Sequence, residues 1–368
     1  MKLPASISKW CVLICGASLA VTTTGPILAA TLLETMDHEV STVFEKSKDA
    51  IVKVHALRQL RVGNLSFVPL HRIGTGFFVD QYGHLLTAAT VVDGTENCWI
   101  DWRGQRTNAR IVGRDLQTNL AVIQIDPCTN IATPFLPQGN SDELHPGSMV
   151  IAIGFPYDLS SAPVVGFVGG LDIQRGERVF ATSHIRAGCR LSPGQGGGPL
   201  LNVRGEVIGI AVAAHMDDQC YALPINAARK IYLDILRYGE PQRPWVGLGI
   251  TERRKVSPET GAEDARVFVQ QIYSNAPAAT AGFCEGDALV RIGTNDVRCS
   301  ADILNTMFFC HSGDQMEFTV RRDGQEQRIL LTVGTRPVDE PVTPQPVPSR
   351  RPMRPVSEPT LVPAVQER

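Results

Sequence analysis

The sequence predicts a mostly β protein with two domains, and three observations support this fold class. The chain has 368 residues, of which 43% are hydrophobic and 20% are charged, so it holds more than one compact domain of ordinary globular composition. Between about residues 48 and 225 the apolar segments are short, β-branched and separated by turns, which indicates a barrel or sandwich. Residues 239–244 then form a helix stop and linker, after which a second domain begins.

The first domain is predicted to consist of strands, with helices only at its edges. One helix is expected over residues 32–48, where the apolar residues lie on one face. Another is expected over residues 226–238, with four apolar residues available for packing: Ile231, Leu233, Ile235 and Leu236. Six apolar segments between these helices are predicted as strands: residues 50–54, 76–79, 84–87, 120–125, 149–153 and 207–212.

The second domain is predicted to combine strands with one helix. The helix is expected over residues 301–309, with Ser300 as its N-cap. Strands are expected near residues 245–250, 265–272, 288–292, 316–321 and 328–333. Residues 337–368 are Pro-rich and weakly basic, which predicts a disordered or polyproline tail that serves as a spacer or, alternatively, as a ligand for another module.

The N-terminus has the features of a secretory signal peptide over residues 1–30. Lys2 and Lys9 are basic, residues 10–21 are apolar, and residues 28–30 offer small residues for cleavage. We therefore expect an exported protein of the periplasm or cell envelope. The alternative is an uncleaved segment, which would leave the protein associated with the membrane.

Export would permit disulfide bonds in the mature chain. Removal of Cys11 and Cys15 with the signal peptide leaves Cys98, Cys128, Cys189, Cys220, Cys284, Cys299 and Cys310. This number is odd, so at least one thiol stays free or pairs between chains. A bridge between Cys189 and Cys220 is our expectation, although the sequence does not fix the connectivity.

The composition argues against several classes of function. The formal net charge of −2 and the pI near 6.5 provide no basic field, so no nucleic-acid partner is expected. No CxxC pair or Cys/His spacing suggests zinc, and neither a metal nor a cofactor is expected. Overall charge and composition therefore do not identify the function, which must be inferred from local groups of residues.

Three motifs follow one another along the first domain. They are residues 74–92, which contain Gly-Thr-Gly-Phe-Phe-Val and Thr-Ala-Ala-Thr-Val-Val, residues 115–122 (Asp-Leu-Gln-Thr-Asn-Leu-Ala-Val) and residues 193–200 (Pro-Gly-Gln-Gly-Gly-Gly-Pro-Leu). Together they resemble the signature of HtrA/DegP-family serine proteases, and the likeness continues through residues 202–210 and 221–225. The resemblance implies a chymotrypsin-like fold of two six-stranded β-barrels over residues 31–238.

The same resemblance implies a degenerate catalytic triad. Thr90 stands at the position of the family's histidine, Asn119 at that of its aspartate, and Gly196 at that of its serine. A glycine has no side chain to attack a carbonyl, a threonine cannot take up a proton near pH 7, and an asparagine cannot offset an imidazolium charge. No catalytic residue is therefore expected.

The nucleophile loop is nevertheless expected to keep its backbone donors. The amides of Gly194 and Gly196, on either side of Gln195, could form an oxyanion-type pocket, because these donors do not depend on a serine side chain. This pattern predicts a cleft that grips an extended peptide without cutting it.

The second domain resembles a PDZ domain of the circularly permuted α+β type, over residues 239–336. The family's carboxylate-binding loop would be Trp245, Val246, Gly247 and Leu248, and residues 275–290 carry the following Pro-Ala-Ala-Thr-Ala-Gly and Gly-Asp pattern. A peptide would pair with the strand after the loop. The side-chain pocket is assigned to Ile303 and Met307, with Leu304 and Phe308 on the next side, and the alternative for all four is domain core.

Two functions follow from these features. The first is an exported, inactive homologue that binds unfolded or C-terminal peptides of envelope proteins, as an adaptor, a chaperone-like holder or a regulator of active relatives. The second is an active endopeptidase that uses relocated residues. The candidates for relocation are Ser183, His184, residues 189–192 and His215. His84 is expected to be a solvated or capping histidine, and the resemblance implies a homotrimer.

Overall fold

The computed structural model describes residues 25–335, apart from 63–65, 96, 127–131, 176–177, 215–218 and 257–262. Most of the predicted signal peptide, the predicted Pro-rich tail, Cys128 and His215 lie outside the described residues. The first described element is helix α1 (Gly25–Ser47), which includes most of the helix predicted over residues 32–48. In the part of the chain that the structure describes, no helix has both the length and the apolar character needed to cross a bilayer.

The first barrel closes from six antiparallel strands in the order β1-β2-β3-β6-β5-β4. A short helix, α2 (Ala89–Val92), follows the third strand. The strands are β1 (Ile51–Val62), β2 (Ser66–Phe78), β3 (His84–Ala88), β4 (Cys98–Trp102), β5 (Gln105–Asp115) and β6 (Leu120–Ile125). Val54, Phe78, Leu85 and Ile123 fill its interior, which explains why the predicted apolar segments are so short and so regularly spaced.

The second barrel repeats this closure in the order β10-β11-β12-β9-β8-β7. The strands are β7 (Met149–Gly154), β8 (Ala162–Arg175), β9 (Arg178–Ala187), β10 (Pro199–Leu201), β11 (Val207–Ala214) and β12 (Cys220–Pro224). The prediction of two six-stranded barrels is therefore confirmed.

One apolar cluster joins the two barrels and the helix that follows them. Helix α3 (Ile225–Tyr238) buries Ile231 against Phe77 of the first barrel and Leu201 of the second, within one cluster. The helix ends where Gly239 takes a φ of 80°, a left-handed conformation that glycine adopts without strain. The predicted helix over residues 226–238 and its glycine stop are confirmed. Ile231 and Ile235 pack as predicted, whereas the prediction was wrong for Leu233 and Leu236, which are exposed on the opposite side of the helix.

The second domain is built around a five-stranded path in the order β14-β15-β16-β18-β19, with β17 paired to β16 and a separate β13-β20 pair. Its helices are α4 (Pro277–Ala281) and α5 (Ser300–Phe308). The strands are β13 (Pro244–Trp245), β14 (Leu248–Val256), β15 (Glu263–Ile272), β16 (Ala288–Ile292), β17 (Asn295–Asp296), β18 (Gln315–Arg322), β19 (Gln325–Thr332) and β20 (Gly334–Thr335).

The N-cap of α5 is Cys299, so the prediction of Ser300 was wrong by one residue. The Asp302 carboxylate accepts hydrogen bonds from the backbone amides of Cys299 (3.2 Å) and Arg298 (2.9 Å). This capping arrangement begins the helix one residue earlier than a serine cap would.

Helix α5 also attaches the second domain to the second barrel. The Asn305 Oδ1 atom accepts hydrogen bonds from the Thr182 hydroxyl and the Ser183 amide of β9, each at 2.8 Å. Phe308, at the end of α5, belongs to the apolar cluster that joins the barrels. One face of the helix therefore lies in the contact between the second domain and the barrels.

Candidate functional site

A loop of the second barrel, residues 193–198, is fastened to the first barrel by Thr75. The Thr75 amide donates to the Gly196 carbonyl at 2.9 Å, and its hydroxyl donates to the Gly194 carbonyl at 2.8 Å. The same hydroxyl accepts from the Phe155 amide at 3.1 Å. Because Thr75 is fully buried on β2, it sets the position of the loop at the junction of the barrels.

Two glycines of the loop are required by close packing. A Cβ atom on Gly194, where φ is 95°, would lie 2.3 Å from the Phe155 carbonyl oxygen. A Cβ atom on Gly197, where φ is 87°, would lie 2.3 Å from the Thr75 carbonyl oxygen. Gly196 differs, because a Cβ atom there would meet nothing within 4 Å. Position 196 is thus the point at which the loop opens to free space, and its backbone could carry a side chain.

The loop presents two unused backbone donors. The amides of Gln195, Gly197 and Gly198 donate within the protein, to Ser192, Ala211 and Gln195 respectively. Among the described residues, no acceptor faces the amides of Gly194 and Gly196. These two N–H groups are therefore available to an external oxygen, which is the arrangement an oxyanion-type pocket needs.

Gln195 braces this loop from within. Its side chain is 2% exposed, and its Oε1 atom accepts from the Ser192 amide at 2.7 Å. Its Nε2 atom is buried without an acceptor among the described residues. An unsatisfied buried donor costs about 1–3 kcal/mol, so the Gln195 amide group holds the loop in place but lowers the stability of the folded protein.

The structure brings Thr90 and Asn119 together beside this loop. The Asn119 Oδ1 atom accepts from the Thr90 amide at 2.8 Å, and its Nδ2 atom donates to the Val212 carbonyl at 2.6 Å. Val91 of the same short helix α2 and the Gly196 carbonyl both lie against Gly74. The three positions predicted from the sequence therefore converge where the barrels meet.

The loop at the start of the second domain is held by its carbonyl groups. The Val246 carbonyl accepts from the Ala278 amide at 2.9 Å, and the Gly247 carbonyl accepts from the Tyr273 amide at 3.0 Å. The amides of Val246 and Gly247 have no acceptor in the described part of the chain. The loop therefore keeps two donors for an anionic group.

Gly247 and Trp245 shape this loop. Gly247 has a φ of 72°, and a Cβ atom on it would lie 2.1 Å from the Ala276 Cβ atom, so only glycine fits. Trp245 pairs with Gly334, and its ring lies 6.2 Å from that of Tyr273. The loop is thus packed against the rest of the second domain on both sides.

Beyond this loop lies an open sheet edge. Leu248 begins β14, which pairs with β15 and, in the described residues, has no strand on its other side. The Glu252 carboxylate of β14 reaches the Ser300 amide at the start of α5. A groove between an unpaired strand and a helix can accept an added peptide strand.

The apolar residues of α5 divide between two environments. Ile303 and Met307, predicted to line a pocket, lie in the core of the second domain at 8% and 7% exposure, so they can only form the floor of a groove. Leu304 is 45% exposed, whereas Phe308 faces the barrels and is removed from any peptide.

The two domains match known families. Residues 74–210 match the trypsin-like peptidase domain, and residues 244–333 match the PDZ domain. A Pseudomonas savastanoi pv. phaseolicola protein named as a DegP-like periplasmic serine endoprotease is 29% identical over 273 residues. HhoA of Synechocystis sp., whose name assigns it to the serine proteases, is 30% identical over 286 residues, which cover 73% of this chain and 72% of HhoA. The chain belongs to the HtrA/DegP family.

Two solved protease structures share the fold. The HtrA-type protease AlgW, solved with a decapeptide, has a TM-score of 0.65 and 23% identity over 81% of this chain and 99% of that chain. The serine endoprotease from Yersinia pestis has a TM-score of 0.58 and 22% identity over 81% of this chain and 98% of that chain. The match to the Pseudomonas relative covers 72% of this chain and spans 56% of that relative's length.

The residues considered for relocated HtrA/DegP chemistry have structural contacts. The Ser183 amide donates to Asn305, and the Ser192 amide donates to Gln195. His184 is buried, its Nδ1 atom lies 2.9 Å from the Thr182 carbonyl, and its ring stacks on Phe180 at 4.2 Å. These contacts hold the strand and the loop in place.

A serine–histidine contact does occur elsewhere. Ser148 Oγ lies 3.2 Å from His145 Nδ1 in an exposed turn just before β7. The loop at residues 193–198 lies near Gly154, at the other end of β7. At about 3.3 Å per residue, the strand separates the pair from the loop by roughly 20 Å. The contact therefore belongs to the turn.

His84, expected to be a solvated or capping histidine, contacts an acidic side chain of the turn before β3. Its Nδ1 atom lies 2.6 Å from the Asp80 carboxylate, which also accepts from the Tyr232 hydroxyl at 2.8 Å. The pair joins the turn before β3 to helix α3.

Sequence reasoning missed a buried histidine on the first barrel. His55 is 5% exposed, and its ring nitrogens lie 3.1 Å from His71 and 3.0 Å from the Asp101 carboxylate. Burial lowers the pKa of His55, although Asp101 opposes the change. Nearby, Lys53 forms an ion pair at 2.7 Å with Asp158 of the second barrel. The only signal in the sequence was the alternation of polar residues along β1.

Proposed function

We propose that this chain is an exported, non-catalytic HtrA/DegP protein that binds unfolded or C-terminal peptides of envelope proteins. The observation that carries the proposal is the glycine at position 196. The loop opens to free space there, with room for a side chain, and none is present. A holder of peptides needs the loop, whereas a protease also needs a nucleophile at that point.

The partners of Thr90 and Asn119 support the same conclusion. The Asn119 side chain uses both its oxygen and its nitrogen on backbone groups, so neither end is left to orient a base. Thr90 offers a hydroxyl, which does not accept a proton near pH 7. In subtilisin, removing the whole triad costs about a millionfold in turnover, which leaves no working protease.

The binding role draws on two separate sets of donors. The free amides of Gly194 and Gly196 suit a peptide carbonyl in the cleft. The free amides of Val246 and Gly247, next to the open edge of β14, suit the C-terminal carboxylate of an added strand. The domain limits that go with this proposal are residues 31–238 and 239–336.

Location and assembly complete the proposal. The basic and apolar N-terminal sequence, together with Pseudomonas and Halomonas elongata relatives named as periplasmic, supports export to the periplasm or cell envelope. There the protein would assemble as a homotrimer and act as an adaptor, as a chaperone-like holder or as a regulator of active relatives.

The test is a paired assay of binding and cleavage on unfolded casein. The purified full chain is expected to retain casein on a pull-down resin and to release no casein fragments. Fragments that disappear in Ser192→Ala or His184→Ala would instead establish the relocated endopeptidase. Casein that is neither retained nor cleaved would overturn the binding role.

A further inference from the structure

Two cysteines of the second barrel are buried together in one apolar cluster. Cys189 and Cys220 are free thiols in the structure, and both side chains are fully buried. Cys220 begins β12 and pairs with Ala187, the last residue of β9. Cys189 lies two residues beyond Ala187, just past the end of that strand.

The space around the Cys189 sulfur is shaped to hold it. A Cβ atom on Gly166 would lie 2.5 Å from Cys189 Sγ, so the sulfur occupies the volume that a larger residue on β8 would fill. The same Cβ atom would lie 2.5 Å from the Gly188 carbonyl oxygen. The sulfur is therefore confined against β8, within the apolar cluster that also contains Cys220.

The two thiols also affect each other's ionisation. Interaction with Cys220 lowers the pKa of the Cys189 thiol, and interaction with Cys189 raises the pKa of the Cys220 thiol. Such a mutual effect is expected of neighbouring thiols.

The other described cysteines have different surroundings. The Cys98 thiol donates to the Ala109 carbonyl in the first barrel, and the Cys310 thiol to the Thr306 carbonyl in the second domain. Cys284 is exposed and Cys299 caps α5. Within the described residues, Cys189 and Cys220 are the two cysteines that share one buried apolar cluster.

We propose that Cys189 and Cys220 form an intramolecular disulfide bond in the exported protein. The inference goes beyond the binding role and rests only on the export proposed above. A thiol–disulfide oxidoreductase would supply the oxidant: its disulfide is reduced to two thiols, which take up the two hydrogens, while the sulfur–sulfur bond forms between Cys189 and Cys220. Because both sulfurs are buried in the folded barrel, the bond forms before the barrel closes.

The bond would brace the loop of the candidate cleft. Residues 189–220 form the covalent ring that it closes, and this ring contains residues 193–198 together with β10 and β11. Cys189 lies just before the segment that leads into the loop. The disulfide would therefore hold the base of the loop against β12, in addition to the hydrogen bonds from Thr75.

Differential alkylation with mass spectrometry tests the proposal on the full chain recovered from an oxidising compartment. After unfolding without reductant, Cys189 and Cys220 are expected to resist iodoacetamide, and trypsin should release residues 187–190 joined to residues 205–229. Reductant should separate the two peptides and expose both thiols. Cys98 is the matched control, because it is equally buried but should react as soon as the chain unfolds.

Thermal unfolding supplies a second measurement. Cys189→Ala is expected to lower Tm on the order of 10 °C relative to the oxidised protein, the amount expected for a ring of this length. If the wild type is unfolded, treated with reductant and refolded, its Tm should fall close to that of Cys189→Ala. Cys98→Ala should lower Tm equally with and without reductant.

The outcomes separate this proposal from the binding role. Iodoacetamide labelling of Cys189 and Cys220 on unfolding, without reductant, would overturn the disulfide, and so would linkage of either residue to another cysteine. A protein with free thiols that still captures casein would leave the binding role intact. A linked pair in a protein that captures nothing would overturn the binding role alone.

Discussion

Asn119 holds the backbone amide of Thr90 through its Oδ1 atom, at a distance of 2.8 Å. Its Nδ2 atom holds the carbonyl of Val212 in the other barrel at 2.6 Å. The side chain therefore serves as a structural link across the barrel junction, at a position where HtrA/DegP relatives are expected to use a carboxylate for catalysis.

Restoring the three side chains together should create proteolytic activity. In Thr90→His/Asn119→Asp/Gly196→Ser, the new serine enters open space and the new carboxylate can orient the histidine. We expect cleavage of unfolded casein to rise on the order of a thousandfold or more over the wild type. The same variant with alanine at position 196 is the control and should gain nothing. An equally active control would show that position 196 does not hold the nucleophile.

Thr75→Val should loosen the cleft loop while nearly preserving the shape of the side chain at position 75. The substitution removes the hydroxyl that serves both the Gly194 carbonyl and the Phe155 amide, and leaves these partly buried groups unpaired. We expect a loss of about 1–3 kcal/mol in the free energy of unfolding, measured in urea, together with weaker casein capture.

Thr319→Val is the matched control for this change. Thr319 is also buried, on β18, and its hydroxyl has no hydrogen-bond partner among the described residues. Its replacement should leave both stability and capture near the wild-type values. Equal losses in the two variants would assign the effect to packing rather than to the loop.

His55 should make stability fall as the pH drops from 7 to 5. Because burial lowers the pKa of His55 in the folded protein, the unfolded chain takes up a proton first, near its ordinary pKa of about 6.5. Stability is therefore present above that pH and is lost as the pH falls through the folded-state pKa. The groups facing His55 are His71, Asp101 and Asp158, with the Trp99 ring beside it.

Urea midpoints at pH 7.5 and 5.0 test this prediction. His55→Asn should show a smaller difference between the two midpoints than the wild type, because the titrating group is gone. His145→Asn, in an exposed turn, should keep the full difference. If His55→Asn kept it as well, another group would control this pH window.

Gly247→Ala should abolish recognition of free C-termini by the second domain. The new Cβ atom would meet Ala276 at 2.1 Å, so the loop must move and its two free amides lose their alignment. Gly324→Ala is the matched control, because its φ of 82° imposes a similar backbone strain with nothing within 4 Å.

Fluorescence anisotropy with a labelled peptide ending in a free carboxylate measures this effect. We expect binding to be lost in Gly247→Ala and kept in Gly324→Ala, and a C-terminally amidated peptide to bind neither variant. Unchanged affinity in Gly247→Ala would place the carboxylate elsewhere in the second domain.

Local patterns in the sequence were sufficient for the fold class. Short β-branched segments and the glycine stop at Gly239 predicted a barrel or sandwich, a helix and a second domain, because strand length, turn chemistry and periodicity are properties of neighbouring residues. The two separate barrels were implied by the family resemblance, to which the motif at residues 193–198 contributes. The absence of a side chain at Gly196 was likewise visible in the sequence itself.

Contacts between distant segments were decided only by the tertiary structure. Thr75 and Gly194 are 119 residues apart, and no local pattern shows that one holds the other. Contacts between distant segments also determine the burial of His55, the α5 face that Phe308 occupies and the confinement of Cys189 beside Gly166. Barrel closure brings such groups together, and their burial and hydrogen bonding arise only when the strands have packed.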